Sequence, residues 1–111
     1  DAKQGVVGNR TSASLYDLIP RSQEVQTRKV PLHIGSWNHG RIVAFPNGTV
    51  QHWLNGFNVV EYERGSNIYD ALVARSKYKK YENFGLDAKG LLLLQNHNDE
   101  VSYRSLKIRE L

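Results

Sequence analysis

The chain has 111 residues, of which 40% are hydrophobic, and a formal net charge of +4. This length predicts one small domain, and no apolar run reaches the roughly 20 residues that a membrane-spanning helix needs. The absence of cysteine excludes disulfides and thiolate metal sites. Basic and acidic residues are interspersed, so the charge favours a solvated surface over a nucleic-acid interface.

The first part of the chain predicts little regular structure. Residues 1–11 are rich in Gly, Asn and Lys, so we expect a loop. They do not show the pattern of a signal peptide. Residues 12–19 predict a short strand, because Leu15, Leu18 and Ile19 make this stretch apolar before Pro20 ends it. Residues 21–28 are polar and predict an exposed segment.

The middle of the chain contains the clearest local signal. A strand over residues 37–45 and a turn at residues 46–48 lead into it. Residues 49–54 and 57–62 then flank Asn55-Gly56, a pair that specifies a two-residue type I′ hairpin.

Uninterrupted pairing across this turn predicts which residues share a face of the sheet. It places Trp53 opposite Asn58, His52 opposite Val59 and Val50 opposite Glu61. The predicted core face carries Val50, His52, Leu54, Phe57 and Val59. The other face mixes amides with aromatic rings and carries Thr49, Gln51, Trp53, Asn58, Val60 and Tyr62.

After the hairpin the sequence predicts a helix over residues 67–77. Ser66 can cap this helix, and Ile68, Leu72 and Val73 are predicted to form its buried side. The basic, aromatic run at residues 77–81 is interpreted as a solvated loop. No nucleic-acid-binding motif accompanies it, so no nucleic-acid partner is expected.

The C-terminal residues predict a second hairpin. Residues 91–96 and 101–108 have strand-like composition and flank a turn at Asn98-Asp99. Several short strands and one helix together indicate an all-β, mainly antiparallel architecture.

Six segments resemble one known family, in the same order along the chain. They are Leu15-Tyr16-Asp17-Leu18-Ile19, Trp37-Asn38 with Arg41-Ile42-Val43, His52-Trp53-Leu54-Asn55-Gly56, Val59-Val60-Glu61-Tyr62, Leu94-Gln95 with His97, and Tyr103-Arg104 with Leu106-Lys107-Ile108-Arg109-Glu110-Leu111. These segments look like the C-terminal half of the 3-keto-disaccharide hydrolase domain family. The pattern departs from the family beside His97, where Asn96 and Asn98 stand in place of the usual Asp and Gly.

The resemblance implies a fold and a set of partners. The fold is a concanavalin-like jelly-roll sandwich with one short surface helix, and residues 1–111 are the C-terminal part of a single lectin/glucanase-like domain. The implied partners are a carbohydrate ligand and the missing N-terminal half of the same domain. The implied location is periplasmic or secreted.

The implied activity is cleavage of the glycosidic bond of 3-keto-glycosides. A ketone at C3 makes the C2 proton acidic, so a base can remove that proton and the group on C1 can leave before water adds. His97 is the predicted catalytic base, and Arg104 is predicted to orient a hydroxyl or stabilise the enolate. The two-carboxylate mechanism of ordinary glycosidases is the rival, but no carboxylate pair in the sequence is placed to favour it.

Substrate-binding residues are predicted on the strands and at the rim of the cleft. They are Trp53, Gln95, Trp37, Asn38, Gln51, Tyr16 and Asp17. Trp53 has the strongest physical case, because an aromatic ring flanked by amides suits a pyranose. The plainer alternatives are a buried Trp53, a backbone-bonded His97 and a surface Arg104.

The cofactor is not identified by the sequence. No metal ligand is assigned, although His52, His97 and Glu61 could together hold a divalent metal ion. The default interpretation of His52 is a core histidine. A second function class also stays open, since the same fold could serve as a non-catalytic, lectin-like carbohydrate-binding module.

Overall fold

A computed structural model describes residues 8–21 and 32–111. Within these ranges three strands form one antiparallel sheet in chain order: β1 (Gly40–Ala44), β2 (Thr49–Leu54) and β3 (Phe57–Glu63). Helix α1 (Asn67–Arg75) and a short 3-10 helix (Lys77–Lys80) follow the sheet. No helix in the described ranges is long and apolar enough to cross a membrane.

Both predicted turns of the sheet are confirmed. At the first turn, Gly48 has a φ of 93°, and the side-chain oxygen of Asn47 accepts a hydrogen bond from the backbone N–H of Thr49. At the second turn, Asn55 and Gly56 have φ values of 49° and 86°. These are the left-handed values that a type I′ hairpin requires.

The strand predicted from residue 37 begins three residues later, at Gly40. Trp37 and Asn38 therefore lie in the loop before β1. The reason is local, because the side chain of Asn38 hydrogen-bonds to the backbone of His33 and Ser36 and closes that loop on itself.

A β-bulge in β3 interrupts the predicted register. Trp53 pairs with Asn58 as predicted, but His52 pairs with Val60 instead of Val59. Val59 is therefore an extra residue on its strand, and the predicted pairing is wrong from His52 onward.

The bulge exchanges the faces of the residues that follow it. Val60 and Tyr62 lie on the core side, where the uninterrupted register did not place them, and Glu61 lies on the opposite side. Burial explains the bulge, because Val59 and Val60 are adjacent in sequence and both are buried, with exposed fractions of 0% and 3%. Strict alternation along a strand would send one of the two valines to the other face.

The core lies on the side of the sheet that carries these two valines. Leu54, Val59 and Val60 form its centre. Half-buried side chains pack around them: Ala13, Leu15, Ile19, Leu32 and Tyr62. His52 lies on this side as predicted, with its Nδ1 atom 3.0 Å from the carbonyl oxygen of Ala13 and its ring edge-on to Tyr62.

The strand predicted over residues 12–19 is wrong. This segment instead folds back on itself, and Leu15 and Ile19 pair in an isolated bridge. Ala13 and Asp17 both have a φ of 65°, which turns the chain at two non-glycine positions. The predicted loop is described only from Gly8, and the predicted polar segment at residues 21–28 lies outside the described residues after its first residue.

Helix α1 begins where its cap predicts. The hydroxyl oxygen of Ser66 accepts a hydrogen bond from the backbone N–H of Tyr69. The helix ends at Arg75 rather than Lys77, because Ser76 caps the 3-10 helix that follows.

The buried residue of α1 is Tyr69, and the prediction for Ile68 is wrong because its side chain is 76% exposed. The Tyr69 ring stacks on that of Tyr62, and its hydroxyl donates to the carbonyl oxygen of Phe84. Burial raises the pKa of both tyrosines above the ordinary value. Leu72 and Val73 are half-buried.

The predicted second hairpin is not formed in the described structure. Residues 86–111 contain no strand, and Leu91 and Leu93 are 91% and 83% exposed. A turn does lie near the predicted position, since the Asn96 side-chain amide donates to the carbonyl oxygen of Asp99. Apolar composition favours a strand, but the ladder of hydrogen bonds needs a partner strand.

Candidate functional site

The sheet face opposite the core carries a connected group of polar and aromatic side chains. We call this group the polar face; it consists of Arg41, Gln51, Trp53, Asn58 and Glu61. Cross-strand pairing aligns these residues, with Arg41 opposite Trp53, Trp53 opposite Asn58 and Gln51 opposite Glu61.

Hydrogen bonds order the polar face. The Trp53 indole N–H donates to Oε1 of Gln51 at 3.1 Å, and the Gln51 amide donates to Oε2 of Glu61 at 2.5 Å. The Asn58 amide reaches the same carboxylate oxygen at 3.4 Å. The guanidinium carbon of Arg41 lies 5.5 Å from the centre of the Trp53 ring. The face therefore combines an aromatic ring with oriented donors and acceptors, a combination that can bind a polyhydroxylated ligand.

Two further candidate residues, Trp37 in the loop before β1 and Arg104, contact each other. The guanidinium carbon of Arg104 lies 4.0 Å from the centre of the Trp37 ring. The contact connects the C-terminal tail, which comprises residues 86–111, to the loop before the sheet. Trp37 is half exposed, so part of its indole surface stays accessible.

Asn38 organises its loop. Its side-chain oxygen accepts hydrogen bonds from the His33 backbone N–H and from the Asn55 side-chain amide. Its own amide donates to the carbonyl oxygens of His33 and Ser36. The side chain thus ties the loop before β1 to the tip of the β2–β3 hairpin.

Tyr16 and Asp17 lie against the start of the 3-10 helix. Asp17 forms an ion pair with Arg10 at 2.7 Å, and the Lys77 backbone N–H is 3.5 Å from Oδ2 of Asp17. The hydrogen bond from Arg10 holds the pKa of Asp17 below its ordinary value. The Lys77 ammonium lies 4.8 Å from the centre of the Tyr16 ring. These contacts attach the N-terminal loop to the helical part of the chain.

Gln95 and His97 lie in the exposed C-terminal tail. The Tyr103 hydroxyl donates to the carbonyl oxygen of Gln95 at 2.5 Å. Within residues 8–21 and 32–111, no hydrogen bond or ring contact joins His97 to the polar face or to Arg104.

The basic run at residues 77–81, predicted as a solvated loop, contains the 3-10 helix, and its aromatic rings contact neighbouring side chains of the chain. The Tyr78 ring stacks on Phe84 with a centroid distance of 4.2 Å. The Lys77 and Lys80 ammonium groups lie over the Tyr78 and Tyr81 rings. Stacking on nucleic-acid bases would compete with these contacts.

The chain matches a known protein family over almost its whole length. The family model of the 3-keto-alpha-glucoside-1,2-lyase-like domain matches residues 1–109. The chain belongs to this family. This membership confirms the resemblance seen in the sequence.

This domain is similar in sequence to a curated relative and in fold to a solved structure. The chain is 34% identical over 121 aligned residues to a 3-keto-disaccharide hydrolase of Bacteroides thetaiotaomicron. That alignment covers 100% of the chain but 40% of the relative, so the chain spans less than half the length of that protein. The crystal structure of a "putative glycosyl hydrolase" from Parabacteroides distasonis shares the fold, with a TM-score of 0.56 and 19% identity. It aligns over 69% of this chain and 33% of its own. The antiparallel, sheet-rich architecture expected from the sequence is confirmed.

The possible metal set of this lyase-like domain does not assemble among the described residues. His52 lies on the core side of the sheet, whereas Glu61 lies on the polar face. The described ranges also contain no group of three His, Asp or Glu side chains that could hold a metal ion. The three side chains that the sequence grouped as a possible metal set therefore do not converge in the described structure.

Sequence reasoning missed two members of the polar face, Glu61 and Arg41. The uninterrupted register places Glu61 opposite Val50 on the core side, and Arg41 has no partner in it. The adjacent pair Val59-Val60 was the available signal, because two consecutive apolar residues in an otherwise alternating strand indicate a bulge.

Proposed function

We propose that this lyase-like domain is part of an enzyme that cleaves the glycosidic bond of 3-keto-glycosides, and that the polar face binds the sugar. The observation that carries the proposal is the ordered array of Trp53, Gln51 and Glu61 on one sheet face. Family membership supports the substrate class, as does the name of the Bacteroides relative.

The chemistry we propose begins at the C2 proton of the sugar. The C3 ketone stabilises the negative charge left behind when a base removes that proton. The resulting enolate expels the group on C1, which leaves with the bonding electron pair, and a double bond forms between C1 and C2. Addition of water across this double bond completes a net hydrolysis.

Two residues of the chain are assigned to these steps. His97 is the proposed base, because an imidazole nitrogen can accept the C2 proton as a general base. Arg104 is the proposed donor to the enolate oxygen, because a guanidinium stays charged and offers several N–H groups. Trp37 would then hold Arg104 beside the substrate.

The proposed enzyme is longer than this chain. The C-terminal tail of this chain exposes a series of large apolar side chains: Leu91, Leu92, Leu93, Leu106 and Ile108. We propose that an N-terminal half of the same domain pairs with the tail and covers these side chains. The family resemblance also leads us to propose a periplasmic or secreted location.

Turnover of a 3-keto-disaccharide by the full-length protein tests this function. His97→Ala should abolish turnover and leave the melting temperature nearly unchanged. His39→Ala is the matched control, since His39 is also exposed and bonds through its backbone. Full turnover by the His97→Ala variant would contradict the assignment of the base.

In the lectin-like alternative, the polar face binds a sugar but the protein catalyses no reaction. It is favoured by the separation of His97 from the polar face in the described structure. In that case the parent protein would bind the sugar and form no product, and Trp53→Ala would weaken binding while His97→Ala would not.

A further inference from the structure

Glu61 is a carboxylate that the bulge at Val59 moves onto the polar face. Without the extra residue, Glu61 would lie on the side of Val50 and Leu54, which are buried. In the observed register it lies opposite Gln51, and its side chain is exposed.

The two oxygens of Glu61 have different surroundings. Oε2 accepts hydrogen bonds from the side-chain amides of Gln51 and Asn58. Oε1 accepts no hydrogen bond from any residue in the described ranges, and Glu61 forms no ion pair there. One oxygen therefore holds the carboxylate in place while the other is free to accept a hydrogen bond.

The orientation of Glu61 is transmitted through Gln51. The Trp53 indole N–H occupies Oε1 of Gln51, so the Gln51 amide nitrogen must face Glu61. A side chain that is ordered before binding loses less conformational entropy when a ligand arrives. Gln51 thus couples the aromatic ring to the carboxylate in a fixed arrangement.

The groups on either side of Trp53 complement a sugar hydroxyl. A hydroxyl group donates one hydrogen bond and accepts others, so its binding site needs both kinds of partner. Arg41 supplies donors only and Glu61 supplies acceptors only, and the Trp53 ring offers an apolar surface between their strands.

We propose that Glu61 is a substrate-binding residue whose free oxygen accepts a hydrogen bond from a sugar hydroxyl and so fixes the glycosyl unit over Trp53. The inference rests on the proposed function for the class of ligand. It goes beyond that function by assigning the residue that accepts a hydrogen bond from a sugar hydroxyl.

Binding of methyl 3-keto-α-glucopyranoside to the full-length protein tests the inference. Glu61→Gln keeps the size of the side chain and removes its charge, so the Kd should rise about tenfold, because hydrogen bonds to charged groups are stronger than neutral ones. Glu63→Gln is the matched control: Glu63 is an exposed glutamate at the end of the same strand, opposite Thr49. Its Kd should equal that of the parent protein.

Monodeoxy analogues of the same glycoside separate a contact from a structural effect. If Glu61 accepts one hydroxyl, the analogue that lacks this hydroxyl should bind the parent and the Glu61→Gln variant with the same Kd. A purely structural role would weaken the binding of every analogue equally, and that result would overturn the inference.

Turnover of the 3-keto-disaccharide, measured in parallel, distinguishes the two proposals. An unchanged Kd for Glu61→Gln, or a parent protein that does not bind the glycoside, overturns the inference for Glu61. Binding that depends on Glu61 without any turnover by the parent would support the inference and contradict the proposed catalytic activity.

Discussion

The guanidinium group of Arg104 lies over the indole ring of Trp37, with 4.0 Å between the guanidinium carbon and the ring centre. The two residues are far apart in sequence and belong to segments that form no strand. Their contact is the ring interaction that connects the tail to the loop before β1 in the described structure.

We expect Trp37→Ala to loosen the C-terminal tail. A cation–π contact at an exposed site contributes about 0.5–1 kcal/mol, so trypsin should cut the chain after Arg104 several times faster in this variant. Limited proteolysis followed by mass spectrometry measures this change. Trp37→Phe keeps a ring and should have a smaller effect, whereas equal rates of cleavage in the parent and both variants would contradict an anchoring role.

Asn55 combines a backbone role with a side-chain role. Its left-handed φ of 49° forms the type I′ turn, and its side chain bonds to His39 and Asn38. Asn55→Ala should lower the free energy of unfolding by about 2–3 kcal/mol, from strain of about 1–2 kcal/mol and lost hydrogen bonds of about 1 kcal/mol.

Asn55→Gly separates the two roles in urea unfolding. Glycine adopts the left-handed conformation without strain, so only the side-chain hydrogen bonds are lost, at a cost of about 1 kcal/mol. Equal losses of stability for the alanine and glycine variants would contradict the contribution of backbone strain.

Local signals in the sequence predicted the features that depend on a few neighbouring residues. The Asn55-Gly56 turn and the Ser66 cap form as expected, because each is determined by the φ preference or hydrogen-bonding capacity of one or two side chains. The core-side position of His52 also followed, since the bulge inserts its extra residue in β3 and leaves the alternation of β2 unchanged.

Features that depend on packing were beyond local signals. The bulge at Val59 forms because burying two consecutive valines outweighs regular pairing, and this balance depends on the core around them. The misassigned face of Glu61 follows from that single insertion. The segment with Ala13 and Asp17 closes through left-handed backbone at non-glycine residues, which composition does not predict.

The structure of the C-terminal tail could not be predicted for a different reason. Residues 91–96 are apolar enough to predict a strand, but the described structure forms no strand there, because composition alone does not supply the partner strand that a ladder requires. His97 directly follows this segment, so the sequence could nominate the residue without locating it relative to the polar face.

Gly85 lies where a side chain would collide with Tyr69. Its φ is 72°, and a Cβ atom built on it would overlap the Tyr69 hydroxyl. Gly85→Ala should therefore destabilise the protein through left-handed strain of about 1–2 kcal/mol and through this overlap. Gly90→Ala is the control, because no atom lies within 4 Å of its Cβ position, and its stability should change by less than about 0.5 kcal/mol.

A double mutant isolates the overlap from the strain. Tyr69→Phe removes the hydroxyl and its hydrogen bond to Phe84, at a cost of about 1 kcal/mol. In the Tyr69→Phe/Gly85→Ala variant the overlap is absent, so the combined loss in urea unfolding should be smaller than the sum of the single losses by about 0.5–3 kcal/mol. Strict additivity would show that the collision is relieved in some other way.

The ion pair between Arg10 and Asp17 makes stability depend on acid pH. The hydrogen bond from Arg10 lowers the pKa of Asp17 from its ordinary value of 3.8, so the folded state binds this proton less readily than the unfolded state. The stabilisation is therefore fully present well above pH 3.8 and is lost as the pH falls below that value through the folded pKa.

Asp17→Asn should abolish this part of the acid dependence, although the attachment of residues 8–19 to Lys77 would weaken at every pH. The measurement is urea unfolding across the acid range. Asp87→Asn is the control, since the Asp87 side chain is exposed and forms no hydrogen bond or ion pair in the described ranges, and this variant should keep the acid loss of the parent. An equal fall in the free energy of unfolding for the parent and the Asp17→Asn variant between neutral and acid pH would contradict the linkage to Asp17.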